Sequence, residues 1–259
     1  MEEETKNFKL ETAYNRVNLY QQHDCFELRS EDNALQSRID LRQPYRLGLK
    51  NLECLMAVLL FMPEPRSILL LGTAAGSLVH FLCHYLPRAH LTAVDIDSEL
   101  VEKMLQMKIL PAAGNGLSYI YADAAQFLTN CESSYDLILV DIFSGSRSPA
   151  WLLEKNSIAR LHQCLGANGA VAYNLLIDSE HAFKNFYRNL RLVFDGQTLC
   201  LPVKDFENTI TFGIRHPLPE QDMSTYMQQA MELSQRYETE FLPILSAIYN
   251  TNPVGAGVL

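Results

Sequence analysis

The sequence predicts an α/β protein: a doubly wound, mainly parallel sheet of seven strands, preceded by a small antiparallel β-domain. Three observations predict it. From Ser67 onward, apolar runs alternate with amphipathic stretches at short intervals, a pattern that buries a parallel sheet under helices on both faces. Gly72-Thr73-Ala74-Ala75-Gly76-Ser77 then joins an apolar strand to a helix through side chains small enough for backbone N–H groups to approach a ligand. Finally, Asp95 stands near the end of the next strand, Leu91 to Ile96. It lies about 20 residues beyond the turn, the spacing at which a carboxylate reaches ribose hydroxyls.

The elements follow in order. Residues 16–41 alternate apolar and polar side chains, and predict three short antiparallel strands at Val17-Asn18-Leu19-Tyr20, Cys25-Phe26-Glu27-Leu28 and Leu35-Gln36-Ser37. Beyond Pro44, residues 46–61 space Leu47, Leu49, Leu52, Leu55, Met56 and Leu59 as a helix that stops before Pro63. Strands are expected near 67–72, 91–96, 117–122, 136–141, 168–174, 197–202 and 208–214, with helices near 77–86, 98–107, 124–129, 150–164 and 179–193. Only Lys204 to Asn208 separates the last two strands, too few residues for a crossover helix, so they should form an antiparallel hairpin. A doubly wound sheet with that finish is Rossmann-like, of the methyltransferase type. Residues 220–249 predict a terminal helix or helix pair, with Met223, Met227 and Met231 as a core-facing or dimer-facing stripe. The tail TNPVGAGVL is expected to be poorly ordered. The expected organisation is residues 1–43 as the β-strand domain, 44–216 as the Rossmann-like domain and 217–259 as a helical extension and tail.

Bulk properties exclude several classes. A formal charge of −9 over 259 residues opposes a nucleic-acid surface, which needs Lys and Arg to displace counterions. The longest apolar run, Leu55 to Met62, is far too short to span a bilayer, and MEEETKNFK has no apolar signal core, so a cytoplasmic protein without membrane contact is expected. The six cysteines are scattered with no C-x-x-C pair, which predicts reduced thiols. His80 and His84 stand at a metal-capable i, i+4 spacing without a third ligand nearby, so hydrogen bonding is expected of them and no metal site is predicted.

Ligands of open parallel sheets bind outside the carboxyl ends of the strands. Three strands here end in an acid: Asp95, Asp123 and Asp141. Asp95 is suited to a ribose diol, because a carboxylate only accepts and can hold two hydroxyls. Asp123 suits either the exocyclic amine of an adenine or the N-cap of the next helix. Asp141 stands over the reactive centre and precedes a Gly/Ser-rich loop, Ile142 to Pro149, fit for a lid. The candidate nucleoside site comprises Gly72, Thr73, Ala74, Gly76, Asp95, Ile96, Asp123 and Ala124, and the candidate catalytic residue is Asp141. Asn174, at the end of the fifth strand, faces the site on one reading, and Trp151 either roofs it or packs on the sheet.

The segments PEPRSILLLGTAAGSL, LTAVDID, YADAAQFL, YDLILVDIFSGS and GAVAYNLL, in this order, resemble the spermidine synthases and their relatives over roughly residues 17–215. The resemblance implies aminopropyl transfer from decarboxylated S-adenosylmethionine to putrescine, without a metal, leaving methylthioadenosine. It makes Asp95 the ribose binder, Asp123 the acid of an adenine motif with Ala124 in place of glycine, and Asp141 the group that orients or deprotonates the attacking amine. It also implies a homodimer through the N-terminal strands. Departures concentrate in the polyamine half: Ala75 replaces the acid that holds the aminopropyl ammonium, Ser144 replaces the second acid of the lid, and Lys50-Asn51-Leu52-Glu53 replaces the expected Tyr-Gln positions. Three readings follow: an aminopropyltransferase with altered pocket chemistry acting on a small-molecule amine, a methyltransferase using intact S-adenosylmethionine, or a non-catalytic nucleoside-binding relative.

Overall fold

The computed structural model describes residues 6–216 and 223–252. The parts of the expected extension and tail at 217–222 and 253–259 lie outside the described residues.

The large sheet begins at β5 (Ser67–Leu71), whose five residues run without a polar break after the first serine. Strand side chains alternate between faces. Ile68 and Leu70 therefore enter one apolar layer and Leu69 and Leu71 the other. The same alternation splits Leu137 and Leu139 from Ile138 and Val140 in β8 (Tyr135–Val140). A strand apolar on both faces must be covered on both, which is why helices flank this sheet. Its other members are β6 (His90–Asp95), β7 (Leu117–Tyr121), β9 (Leu165–Leu175), β10 (Thr198–Pro202) and β11 (Thr209–Ile214). The order is β10-β11-β9-β8-β5-β6-β7, parallel throughout except for β11, which runs against both neighbours. The expected doubly wound seven-stranded sheet and closing hairpin are both present.

The small N-terminal sheet has four strands rather than three: β1 (Lys6–Glu11), β2 (Arg16–Gln22), β3 (Cys25–Ser30) and β4 (Leu35–Asp40), paired antiparallel in sequence order. β1 escapes the sequence reading because it is an edge strand, with Phe8 exposed and only Leu10 packed on the core. The expected helix over 46–61 starts later, as α1 (Lys50–Leu55), because Leu49 is still extended at φ −130°. It then tightens into a 3-10 turn at Met56–Leu60, a common ending for a helix that meets a proline soon after. The helices of the large sheet are α2 (Ser77–Tyr85), α3 (Ser98–Gln106), α4 (Ala124–Thr129), α5 (Lys155–Gln163) and α6 (Glu180–Val193). The predicted helix at 150–164 is divided: a 3-10 turn at Ala150–Leu153 precedes α5.

One apolar cluster joins the N-terminal sheet (Val17, Leu19, Phe26, Leu28, Ile39) to α1, α2, one face of the large sheet and the C-terminal helices α7 (Met223–Tyr237) and α8 (Phe241–Thr251). α7 buries Ala230, Leu233 and Tyr237, so Met223, Met227 and Met231 face outward. Of the core-facing and dimer-facing expectations, the core-facing one is thereby corrected: the methionines form an exposed stripe beside the one that packs. No helix among the described residues is long and apolar enough to cross a membrane. All six cysteines are free, and burial pushes the Cys54 thiol up to about 11.

Candidate functional site

The chain winds outward from β5 to β7, then returns to β8 on the other side of β5. The strand order therefore reverses between β5 and β8, and the crevice at their carboxyl ends is where such sheets take ligands. Gly72 and Asp141 leave the two strands there, and Asp141 N–H still donates to the Leu71 carbonyl at 2.8 Å. Gly72 adopts φ +92°, and a Cβ on it would stand 2.2 Å from the Asp141 carbonyl oxygen. Only glycine lets the two chains pass so closely. Ala74 also takes positive φ, +45°, in the turn that leads to α2.

The turn is organised by Asp95. Its Oδ2 accepts from Thr73 N–H at 2.7 Å and from the Thr73 hydroxyl at 2.8 Å, while Oδ1 accepts from Asp97 N–H at 2.9 Å. A carboxylate has about four acceptor positions, so one remains free, and a second opens if the Thr73 hydroxyl turns away. Beside it Ile96 is 37% exposed and Tyr121, at the end of β7, 47% exposed, giving the rim two apolar faces. Asp123 caps α4, with Oδ1 accepting from Gln126 N–H at 2.9 Å. Ala124 is the first residue of that helix. The structure thus brings Thr73 into contact with Asp95, lines Asp123 along the same rim, and sets Asp141 across the crevice from the turn.

Asp141 lies between the turn and β9. Asn174, fully buried, donates from Nδ2 to Asp141 Oδ1 at 2.8 Å, which resolves its orientation toward the site. Removal from water favours the neutral acid and outweighs that hydrogen bond, so the Asp141 carboxyl is pushed up to about 6. Some of the residue still reaches the surface, but the carboxyl group itself is desolvated. A carboxylate of this kind takes up and releases a proton near neutral pH.

The loop after Asp141 is fastened. Ser144 and Arg147 exchange backbone hydrogen bonds, Ser148 N–H donates to the Leu176 carbonyl at 2.9 Å, and the Arg147 guanidinium meets Asp178 at 2.5 Å and Glu207 at 2.8 Å. The two ion pairs are exposed and worth less than about 1 kcal/mol each, so the backbone hydrogen bonds carry much of the fastening. Beyond it a cleft of about 180 Å³ is floored by Leu175, Ile177 and Phe183 and rimmed by Glu180 and Glu207. Ala75 is completely buried, its N–H directed at Ser37 Oγ of β4 at 3.4 Å. Lys50 pairs with Glu53 at 2.7 Å.

Other candidates take structural roles. His80 Nε2 bonds to the Ile109 carbonyl at 2.6 Å and His84 stacks on Tyr45. Trp151 packs on the second apolar layer. Among the described residues no group of three or more His, Cys, Asp or Glu is arranged to hold a metal ion.

Asp97 was missed by the sequence reading. It is 1% exposed and caps α3 through Leu100 N–H at 3.0 Å, while its Oδ2 accepts from the Thr12 hydroxyl and Asn15 Nδ2, both at 2.6 Å. The β1–β2 hairpin is thereby tied to the residue whose own N–H holds Asp95. The sequence signal was present only as an N-cap Asp; partners 85 and 82 residues away leave no local trace. Asp97→Ala strands three donors and is expected to cost about 2–4 kcal/mol, with Thr12→Val costing about 1 kcal/mol. Urea unfolding of the two variants checks this, and equal midpoints for Asp97→Ala and wild type would contradict it.

A model of the spermine/spermidine synthase domain matches residues 53–225, more than half of the chain. The polyamine aminopropyltransferase of Neisseria meningitidis serogroup A is 26% identical over 243 residues, spanning 93% of this chain and 92% of that protein. Among solved structures, a probable spermidine synthase from Corynebacterium glutamicum superposes with a TM-score of 0.75 at 18% identity, covering 86% of each chain. Human methyltransferase-like protein 13, in complex with SAH, superposes at 0.62 with 20% identity, over 73% of this chain and 90% of that one. At these identities the two structural likenesses speak for the fold alone.

Proposed function

Because the chain belongs to the spermine/spermidine synthase family, we propose that it binds an adenosyl sulfonium donor at the Gly72–Asp95 loop and transfers an aminopropyl group from it to a small-molecule amine. One observation carries the reading: a nucleoside-type turn and a carboxyl poised near neutral pH meet at the reversal point of the sheet, where Gly72 and Asp141 touch. The backbone of Gly72, Thr73, Ala74 and Gly76 borders the donor. Asp95 takes the ribose hydroxyls with its free acceptor position and the one the Thr73 hydroxyl yields. Ile96 and Tyr121 flank the base, Asp123 offers its second oxygen to the base amine, and Ala124 leaves room for it.

The donor supplies an electrophilic carbon whose bond to sulfur breaks with its electron pair left on sulfur. The acceptor nitrogen forms the new C–N bond and sheds one proton, which Asp141 receives. The apolar floor and acidic rim beyond Asn174 suit the hydrocarbon arm of an amine.

The polyamine half is weaker. Ala75 offers no carboxylate to an aminopropyl ammonium and is sealed under β4, Ser144 offers none to a distal amine, and Asp178 and Glu207 already hold Arg147. A buried ammonium without a carboxylate costs several kcal/mol. Ala75 therefore also supports a second reading, methyl transfer from intact S-adenosylmethionine, whose methionine carboxylate meets no repulsion at that position.

Calorimetric titration with methylthioadenosine, decarboxylated S-adenosylmethionine and S-adenosylmethionine separates the readings. Binding of the first two with preference for the decarboxylated donor is expected. Preference for the intact form would move the assignment to methyl transfer, and silence with all three would remove the nucleoside site.

A further inference from the structure

We propose that Asn208 is a positioning residue for Asp141, acting through Asn174: it fixes the Asn174 amide so that the NH2 group, and not the carbonyl, faces the carboxylate. The inference rests on Asp141 being the proton acceptor of the site.

Asn208 closes the β10–β11 hairpin and is 7% exposed. Its Nδ2 donates to Asn174 Oδ1 at 2.7 Å, and Asn174 Nδ2 donates to Asp141 Oδ1 at 2.8 Å. An amide is nearly symmetric in shape, so packing alone does not choose between its two ends; hydrogen-bond partners do. Asn208 presents a donor, which only the carbonyl end of Asn174 can meet. The NH2 end is then committed to Asp141. Turned around, Asn174 would set its carbonyl dipole against the carboxylate and accept a proton from the neutral acid, favouring protonation. The main-chain carbonyl of Asn208 accepts from Val203 N–H at 2.9 Å, which fixes the hairpin backbone that carries this side chain.

The charged groups on the surrounding elements leave this control to the amides. Asp95 on β6 is occupied by Thr73 and Asp97. Arg147 of the loop pairs with Asp178 after β9 and with Glu207 of the hairpin, and Lys50 pairs with Glu53 on α1. Lys204 and Asp205 sit at the exposed tip of the hairpin. Among the described residues no ion pair reaches Asp141, and burial against the Asn174 hydrogen bond accounts for where it titrates.

The test is the titration of the Asp141 carboxyl by carbon NMR in the full chain, which needs no turnover and so stands whether or not the transferase reading does. Asn208→Ala frees the Asn174 amide, and the Asp141 midpoint is expected to rise by about half to one pH unit. Asn208→Asp presents an acceptor and is expected to reverse the amide and raise it further. Repeating Asn208→Asp in an Asn174→Leu background separates the relay from plain repulsion between carboxylates. A much smaller rise there supports the proposal; the same rise in both backgrounds overturns it. So does an Asn208→Ala protein that unfolds earlier but leaves the Asp141 midpoint in place, since that is what a purely structural asparagine would do.

Discussion

Asp141→Asn is expected to lower amine turnover by roughly 10²–10⁴-fold while making the protein more stable at neutral pH. Both effects come from one cause. The folded protein holds this carboxyl at about 6 against an ordinary value of 3.8 because its charged form is desolvated. Between those values the native state binds more protons than the unfolded chain, so stability falls as pH rises from about 4 to 6 and stays lowered above that. The gap corresponds to up to about 3 kcal/mol, and the partial exposure of the residue reduces it to about 1–2 kcal/mol. Asparagine keeps the shape of the side chain and an oxygen for Asn174, but has no proton to lose. Urea unfolding of the two proteins should therefore give converging stabilities below pH 4 and an advantage for the variant at pH 7–8. A variant no more stable than wild type at pH 8 would show that Asp141 ionises without strain. Unchanged turnover with an amine would remove it from the chemistry.

Much of this architecture was legible because it follows from periodicity. Ile68 to Leu71 and Leu137 to Val140 are apolar on both faces, and that requires a covered parallel sheet whatever surrounds it. The turn at Gly72 was legible because small residues between a strand and a helix have few other uses. What stayed hidden depends on partners remote in sequence. β1 is an edge strand whose residues gain order from pairing with β2 rather than from burial. Asp97 reads as a helix cap until the β1–β2 hairpin folds back on it, and Asn208 reads as a hairpin residue until β9 places Asn174 beneath it. The fastening of the 142–149 loop is likewise invisible locally, since Arg147 finds its acids 31 and 60 residues onward. Such contacts are selected by topology, and only the assembled sheet reveals them.

Asp95→Ala is expected to weaken methylthioadenosine binding by at least 100-fold. Two charge-assisted hydrogen bonds to a ribose diol are worth about 1.5–3 kcal/mol each, and 1.4 kcal/mol is tenfold in affinity. Asp95 has a second duty, however, because it holds the Thr73 N–H and the Asp97 N–H, so its removal also loosens the turn. Thr73→Val distinguishes the two. Its hydroxyl occupies an acceptor position that the second ribose hydroxyl requires. If Asp95 binds the diol, deleting that competitor leaves affinity unchanged or higher; if Asp95 only braces the turn, deleting one of its bonds weakens binding in step with stability. Asp95→Asn, with one acceptor oxygen left, should fall between alanine and wild type. Calorimetry on all three, set against their urea midpoints, decides the matter: an Asp95→Ala protein that binds within threefold of wild type would leave the turn without a ribose carboxylate, and the nucleoside assignment would then have to rest on Asp123 and the rim formed by Ile96 and Tyr121.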